Sequence, residues 1–381
     1  TIVYLCPVFV ADDDMNKQFW SPRQKASGMD SPLNPYRMKD FYHVDPEYGT
    51  DEDLKSYIET AHGLGLRVML DMVYLHCGPT AVFIKDHPDF VKRDKDGNIQ
   101  NAAWAFPGLN FESAELREYL HQNMEMWVRD YKVDGFRMDV ADGVPLDFWE
   151  DARVRLEKIN PEVGMLAEGT NVRNQLHAFD LSYGFHFFGE VRKVYDQNAS
   201  VMEIRKIKET LRKNRPIGGD RIIHFIDTHD ISNDDYQNRI EKRWGEKGVN
   251  AMLAVMFTLD GVPFIYCGQE VCDKNRHSIF GSKNGCKVDW ENASSDEAKR
   301  RKAVIQGLAE IRKARPELTA GKLVWLDNTA QDDVLTFSRI LDEKETLVVV
   351  NLRAKSATTT VTLPDGTKKE FQLGEYEYVI E

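Results

Sequence analysis

Long apolar runs are missing from this chain of 381 residues: no stretch approaches the roughly 18 to 20 apolar residues that a membrane span requires. Excess positive charge is missing too. The net charge of −12 excludes the basic surfaces that nucleic acid and anionic membranes select, so neither is expected as a partner. Cysteine is scarce: Cys6, Cys77, Cys267, Cys272 and Cys286 form an odd, scattered set. No pair has zinc-ligand spacing, and buried thiols are the expectation. A glycine-rich dinucleotide fingerprint, the frequent mark of a doubly wound open sheet, is absent as well.

What is present is ordinary in bulk and unusual in detail. Hydrophobic residues at 42% and charged residues at 29% suit a globular protein, and the length suits a large domain plus a small one. The chain starts at once on a buried-strand pattern, residues 1–8, with no cap, turn or tail before it. The natural N-terminus is therefore expected to lie further upstream. A helix is expected over 51–64, capped by Asp51, followed by a strand at 67–73. Polar sequence with Pro and Gly then runs from Leu75 to about Ser113, too long for an ordinary connection.

Helix and strand alternate from there. Helices are expected over 114–130, 146–160, 202–214, 248–259 and 297–315, and strands at 133–140, 164–167, 179–181, 221–226 and 263–267. From Leu323 the pattern changes to short β runs, with a turn at Pro364-Asp365-Gly366. Repeated βα units mean a parallel sheet, and seven such strands suit a (β/α)8 TIM barrel lacking its first βα unit. An open doubly wound sheet is the alternative.

Chemistry in a βα barrel collects at the C-terminal ends of strands. Four of the expected strands end on carboxylates: Asp71 with His76 just beyond, Asp139 with Arg137, Glu168, and Asp230 with His229. Arg137 and Asp139 stand at i and i+2, on one strand face, where the cation should lower the pKa of the carboxylate. Glu168 follows the apolar run Met165-Leu166-Ala167, which suits a protonated carboxyl. Converging carboxylates serve either a divalent metal or glycoside hydrolysis. An arginine among them favours the second, because a metal site wants ligands without a competing cation. Asp12-Asp13-Asp14 reads as a solvated acidic loop, and Trp20, Trp104 and Phe106 as loop anchors or stacking platforms for sugar rings.

The segments Asp71-Met-Val-Tyr-Leu-His76, Gly135-Phe-Arg-Met-Asp139, Ala167-Glu168-Gly169 and Thr228-His229-Asp230 resemble, in order and spacing, the four short signature regions of the α-amylase superfamily, the family-13 glycoside hydrolases. The runs Asn34-Pro-Tyr36, Pro107-Gly-Leu-Asn-Phe111 and Gly261-Val-Pro-Phe-Ile-Tyr-Cys-Gly-Gln-Glu270 extend the likeness over nearly the whole chain. Within the family the chain looks most similar to the neopullulanase, cyclomaltodextrinase and oligo-1,6-glucosidase side.

The resemblance implies roles. Asp139 would be the nucleophile, Glu168 the general acid/base and Asp230 the transition-state stabiliser. Arg137 would orient Asp139, Tyr36 would stack on the sugar, His76 and His229 would bind its hydroxyls, and Asp71 would be a structural partner of Arg137. It implies a catalytic barrel over 1–319, a small inserted domain at 76–113, and a C-terminal antiparallel β-sandwich at 320–381. The reaction would be retaining hydrolysis of α-1,4 or α-1,6 glucosidic bonds in starch-derived glucans or maltooligosaccharides. Transfer to a sugar acceptor or action on sucrose would use the same intermediate, and a non-catalytic glucan- or protein-binding relative is the alternative of another class. Leu75 replaces the family's usual asparagine, and a leucine side chain cannot ligate calcium, so no metal and no other cofactor is expected. Secretion or periplasmic location is expected ahead of a cytoplasmic one. Oligomeric state is left open. Thr1 would align with the family's second strand, so an opening is expected between the strands at 1–8 and 263–267.

Overall fold

The computed structural model describes residues 1–214, 221–235, 237, 239–280 and 286–381. The chain divides into two compact units, Thr1–Tyr183 with Ile279–Gly285, and Gly184–Ser278 with Cys286–Glu381. No helix among the described residues is long and apolar enough to cross a membrane.

In the first unit five strands run parallel, β1 (Ile2–Leu5), β4 (Arg67–Met72), β5 (Gly135–Met138), β6 (Gly164–Ala167) and β7 (Leu181–Tyr183), hydrogen-bonded in that order. An antiparallel pair, β2 (Phe9–Ala11) with β3 (Met38–Val44), interrupts the βα alternation. Neither strand of this pair is expected from the sequence pattern. Apolar residues of β4 and β5, among them Val68, Leu70, Phe136 and Met138, are buried in one core with Trp127 and Trp149 of the helices Ala114–Tyr131 and Leu146–Glu157. Asn123 and Trp127 also donate to the carbonyl of Phe41, which pins the hairpin to the helix by satisfying a buried acceptor. Gly135 lets β5 and β6 approach closely: a Cβ there would lie 2.4 Å from the carbonyl oxygen of Gly164.

Several expectations are corrected here. Thr50, not Asp51, caps the helix Asp51–Gly63. Its hydroxyl accepts from Asp53 N–H while the Asp53 carboxylate accepts from Thr50 N–H, and Asp51 serves Val44 N–H instead. The strand expected at 133–140 ends at Met138, because Val140 adopts a left-handed conformation with φ 43°. Asp12 is not solvated. It is fully buried, accepts from Thr80 N–H at 2.7 Å and faces Arg37, whereas Asp13 is exposed. Trp20 anchors its loop, buried with its indole N–H on the carbonyl of Asp14.

The second unit holds the parallel pair β8 (Ile222–His224) and β9 (Val262–Pro263) and the helix Gly245–Thr258, which is buried along nearly all of its length. The expected strand 263–267 is cut short because Gln269 Oε1 captures Tyr266 N–H at 2.7 Å and turns the chain. The helix Phe185–Asp196 is not among those expected from the sequence, because Gly189 in its middle masks its period. Cys267 is exposed, against the expectation of a buried thiol.

Four antiparallel strands follow in the order β10 (Lys322–Trp325), β11 (Val334–Leu341), β12 (Lys344–Asn351) and β15 (Tyr378–Ile380), beside the hairpin of β13 (Ala357–Thr362) and β14 (Lys368–Leu373). Alternation along β12 sends Val348 and Val350 into one apolar cluster and Leu347 and Val349 into another, with Val361 and Phe371 of the hairpin. A sheet buried on both faces is the signature of a sandwich. The fold class expected from the sequence, a partial TIM barrel with a C-terminal antiparallel β-sandwich, is the one observed.

Candidate active site

Successive parallel strands deliver their last residues to one end, and in the first unit those residues meet on a single guanidinium. Arg137, on β5, is fully buried. Its Nη1 donates to Asp71 Oδ1 at 2.8 Å and Oδ2 at 3.0 Å, and to Asp139 Oδ1 at 2.8 Å. Its Nη2 lies 3.0 Å from Glu168 Oε1, an ion pair rather than an aligned hydrogen bond. Asp71 is the penultimate residue of β4, Asp139 follows β5 and Glu168 follows β6. Three carboxylates therefore share one cation. The pairing of Arg137 with Asp139 and Asp71 is the expected one; its ion pair with Glu168, which the sequence places only after an apolar run, is not.

Tyrosines complete the cluster. Tyr4 on β1 donates to Asp71 Oδ2 at 2.6 Å, and Tyr36 donates to the same oxygen at 2.8 Å. The Tyr183 ring lies 5.4 Å from the guanidinium carbon, within cation–π range. Neither Tyr4 nor Tyr183 was picked out from the sequence. A hydroxyl within an otherwise apolar buried strand, as at Tyr4, is the signal that could have found one of them.

The electrostatics follow from the count of charges. Burial drives the Asp139 carboxyl well above the usual carboxylate range, Arg137 pulls against this, and the charges of Glu168 and Asp71 add to it. The lowered pKa expected beside Arg137 is thus overturned: at Asp139 desolvation and the neighbouring anions outweigh the one cation. His76 is buried between Phe106 and Trp104, with ring centroids 4.8 and 5.8 Å away. Desolvation pushes it down to about 4, so it is neutral at pH 7. Its Nε2 lies 2.8 Å from the Tyr36 carbonyl and so carries the proton, which leaves Nδ1 as a buried acceptor.

The loops beyond the strands are tied together as well. Val140 N–H donates to Glu168 Oε2 at 2.8 Å, and Ala141 N–H to the Glu168 carbonyl at 2.9 Å. Val140 makes its contact from left-handed backbone, a strained state for a β-branched residue.

His229 and Asp230 belong to the second unit and open the helix His229–Asp234, whose cap is the Thr228 hydroxyl. His229 is buried, and its Nε2 lies 3.5 Å from Asp230 Oδ2. A buried network brackets this turn. Asp227 pairs with Arg239, Arg239 pairs with Asp273, and His277 Nε2 lies 2.6 Å from Asp273 Oδ2. His277 Nδ1 faces the Tyr266 hydroxyl, which in turn accepts from Ser232 Oγ at 2.9 Å.

The family profile described as "Alpha amylase, catalytic domain" matches residues 1–99 and 98–314. The chain belongs to the α-amylase family. Among relatives, an "Alpha-amylase 2" of Dictyoglomus thermophilum is 25% identical over 84% of this chain and 58% of its own length. A "Cyclomaltodextrinase" of Bacillus sp is 26% identical over 88% and 62%. The chain thus spans less than two thirds of the length of these α-amylase family relatives. A solved maltogenic α-amylase from Thermotoga neapolitana superposes with a TM-score of 0.83 at 23% identity, covering 100% of this chain and 89% of that one. This likeness establishes the shared fold.

The calcium site common in the α-amylase family finds a poor fit at residue 75. Leu75 offers an aliphatic side chain, and its carbonyl is already taken by Leu109 N–H at 3.1 Å. Among the described residues no group of His, Cys, Asp and Glu gathers with metal-ligand geometry.

Proposed function

We propose that this chain carries a retaining glycoside hydrolase that cleaves α-1,4 or α-1,6 glucosidic bonds in starch-derived glucans or maltooligosaccharides. One observation supports this above others: the buried Arg137 holds Asp139 and Glu168 from adjacent strand ends on the two nitrogens of one fork. The fork confines the paired oxygens to within about 8 Å, compatible with the roughly 5 to 5.5 Å of a retaining pair.

In this reading Asp139 attacks the anomeric carbon while Glu168 gives its proton to the departing glycosidic oxygen. The C–O bond breaks as the ester bond to Asp139 forms. Water then gives a proton to Glu168, attacks the same carbon, and releases Asp139 as carboxylate. The reaction needs Asp139 as a free carboxylate, the form that its hydrogen bond from Arg137 favours against burial. Asp71 and the two tyrosines hold Arg137. His76 accepts a sugar hydroxyl at Nδ1, and Tyr36 offers a ring to the sugar. Asp230 stabilises the transition state and His229 binds a hydroxyl, as their motif implies. No calcium takes part at Leu75.

The test is hydrolysis of a maltooligosaccharide panel with the first-formed anomer read by NMR. An α-anomer supports the reading. A β-anomer, or no cleavage by a folded protein, sinks it.

A further inference from the structure

Glu168 is followed by Gly169, and Asp142 explains why. A Cβ at Gly169 would lie 2.3 Å from Asp142 Oδ1, so the Asp142 carboxylate already fills that space. Asp142 Oδ2 accepts from the N–H groups of Thr170 at 2.7 Å and Asn171 at 3.2 Å, and Oδ1 accepts from Asn174 Nδ2 at 2.7 Å. One short segment thus has three duties. Residue 139 presents its carboxyl to Arg137, residues 140 and 141 donate to Glu168, and residue 142 gathers the chain immediately after Glu168. The loop leaving β6 is latched to the turn leaving β5 by charge-assisted bonds, the stronger class.

We propose that Asp142 is a positioning residue for Glu168: it fixes the acid/base carboxyl relative to Asp139 by holding the 169–174 loop against the 139–142 turn. This rests on the reading of Glu168 as acid/base. The carboxyl of Glu168 needs only a small displacement to miss the glycosidic oxygen, and a shift near 1 Å costs about 100-fold in rate. The loss has a chemical signature. It falls on substrates whose leaving oxygen must be protonated and spares those whose leaving group departs unaided.

The experiment compares kcat/KM, which reports the steps through first bond cleavage, on maltotriose and on α-maltosyl fluoride. Asp142→Ala is expected to lose about 100-fold on maltotriose and less than about fivefold on the fluoride. Asp142→Asn keeps one acceptor oxygen and is expected to fall between Ala and wild type. It also carries the test should the Ala variant fail to fold, and Asn174→Ala should show a smaller loss with the same selectivity. Equal losses on both substrates, or none on either, would overturn the proposal. Glu168→Gln is the control. If it is selective and Asp142→Ala is not, the positioning role alone fails; if Glu168→Gln is not selective, the acid/base reading fails and takes this inference with it.

Discussion

Two buried arginines in this chain face opposite problems. Arg137 serves Asp71, Asp139 and Glu168, so its cluster carries two more negative than positive charges when all are ionised. Arg239 serves Asp227 and Asp273, and His277 adds a second partner to Asp273. The outcomes diverge accordingly. Asp139 is driven up by burial and by its anionic neighbours. Burial would raise Asp273 too, but the hydrogen bonds from His277 and Arg239 win and hold it at about 2. Asp227 is fully buried, and desolvation raises it to about 6 against the pull of Arg239, the Thr228 N–H and His277. The balance of burial against donors decides the matter: at Asp139 desolvation and neighbouring anions outweigh one cation, whereas at Asp273 the donors outweigh burial.

The same amide substitution in each cluster should therefore have opposite consequences. Asp139→Asn is expected to cut turnover on the order of 10⁴-fold or more while leaving stability unchanged or higher, since one repelling charge is removed. Asp273→Asn is expected to cost roughly 3 kcal/mol of unfolding free energy, because it takes a well-paired anion from a buried arginine. Urea unfolding and maltooligosaccharide turnover on both variants read the contrast. An Asp139 variant that is destabilised and active would break it.

Acid should then shrink the second effect. A carboxyl lowered on folding contributes stability above its unfolded value near 3.9 and loses it as the pH falls through its folded value, here about 2. The gap between wild type and Asp273→Asn is expected to be full at pH 7 and to close between about pH 4 and 2. Unfolding curves at pH 7, 4 and 3 decide; a gap that stays constant would show that geometry, not charge, sets the cost. The smallest effect concerns metal. If hydrogen bonds and Arg137 alone hold the anionic cluster, and Leu75 excludes calcium nearby, excess EDTA should leave the melting temperature and activity unchanged. A clear fall restored by calcium would refute this.

The charged residues gathered around Arg137 were legible in the sequence, because reactive side chains at strand ends stand out against apolar runs; Tyr4 and Tyr183 were not. The longer-range partnerships were not either. Only the resemblance paired Asp71 with Arg137; Tyr4 and Asp71 are 67 positions apart, and no local pattern encodes that contact or the Arg137–Glu168 pair. Burial of Asp12 was hidden for the same reason: its partner Thr80 lies 68 residues away. The βα alternation was readable from period alone. The β2–β3 pair was not, since strands of three and seven residues in a polar stretch leave little period to find.

Val140 carries one more consequence. Its left-handed backbone, φ 43° and ψ 48°, costs a β-branched residue on the order of 1 to 3 kcal/mol, yet its N–H sits on Glu168 Oε2. Glycine adopts that conformation without strain, and a valine codon is one base away from a glycine codon. Laboratory evolution under heat alone should therefore keep returning Val140→Gly, and those survivors should be slower enzymes than their parent. Sequencing heat-selected clones and assaying their turnover would reveal it. A thermostable Val140→Gly clone at full speed would mean that evolution left this strain in place for no catalytic return.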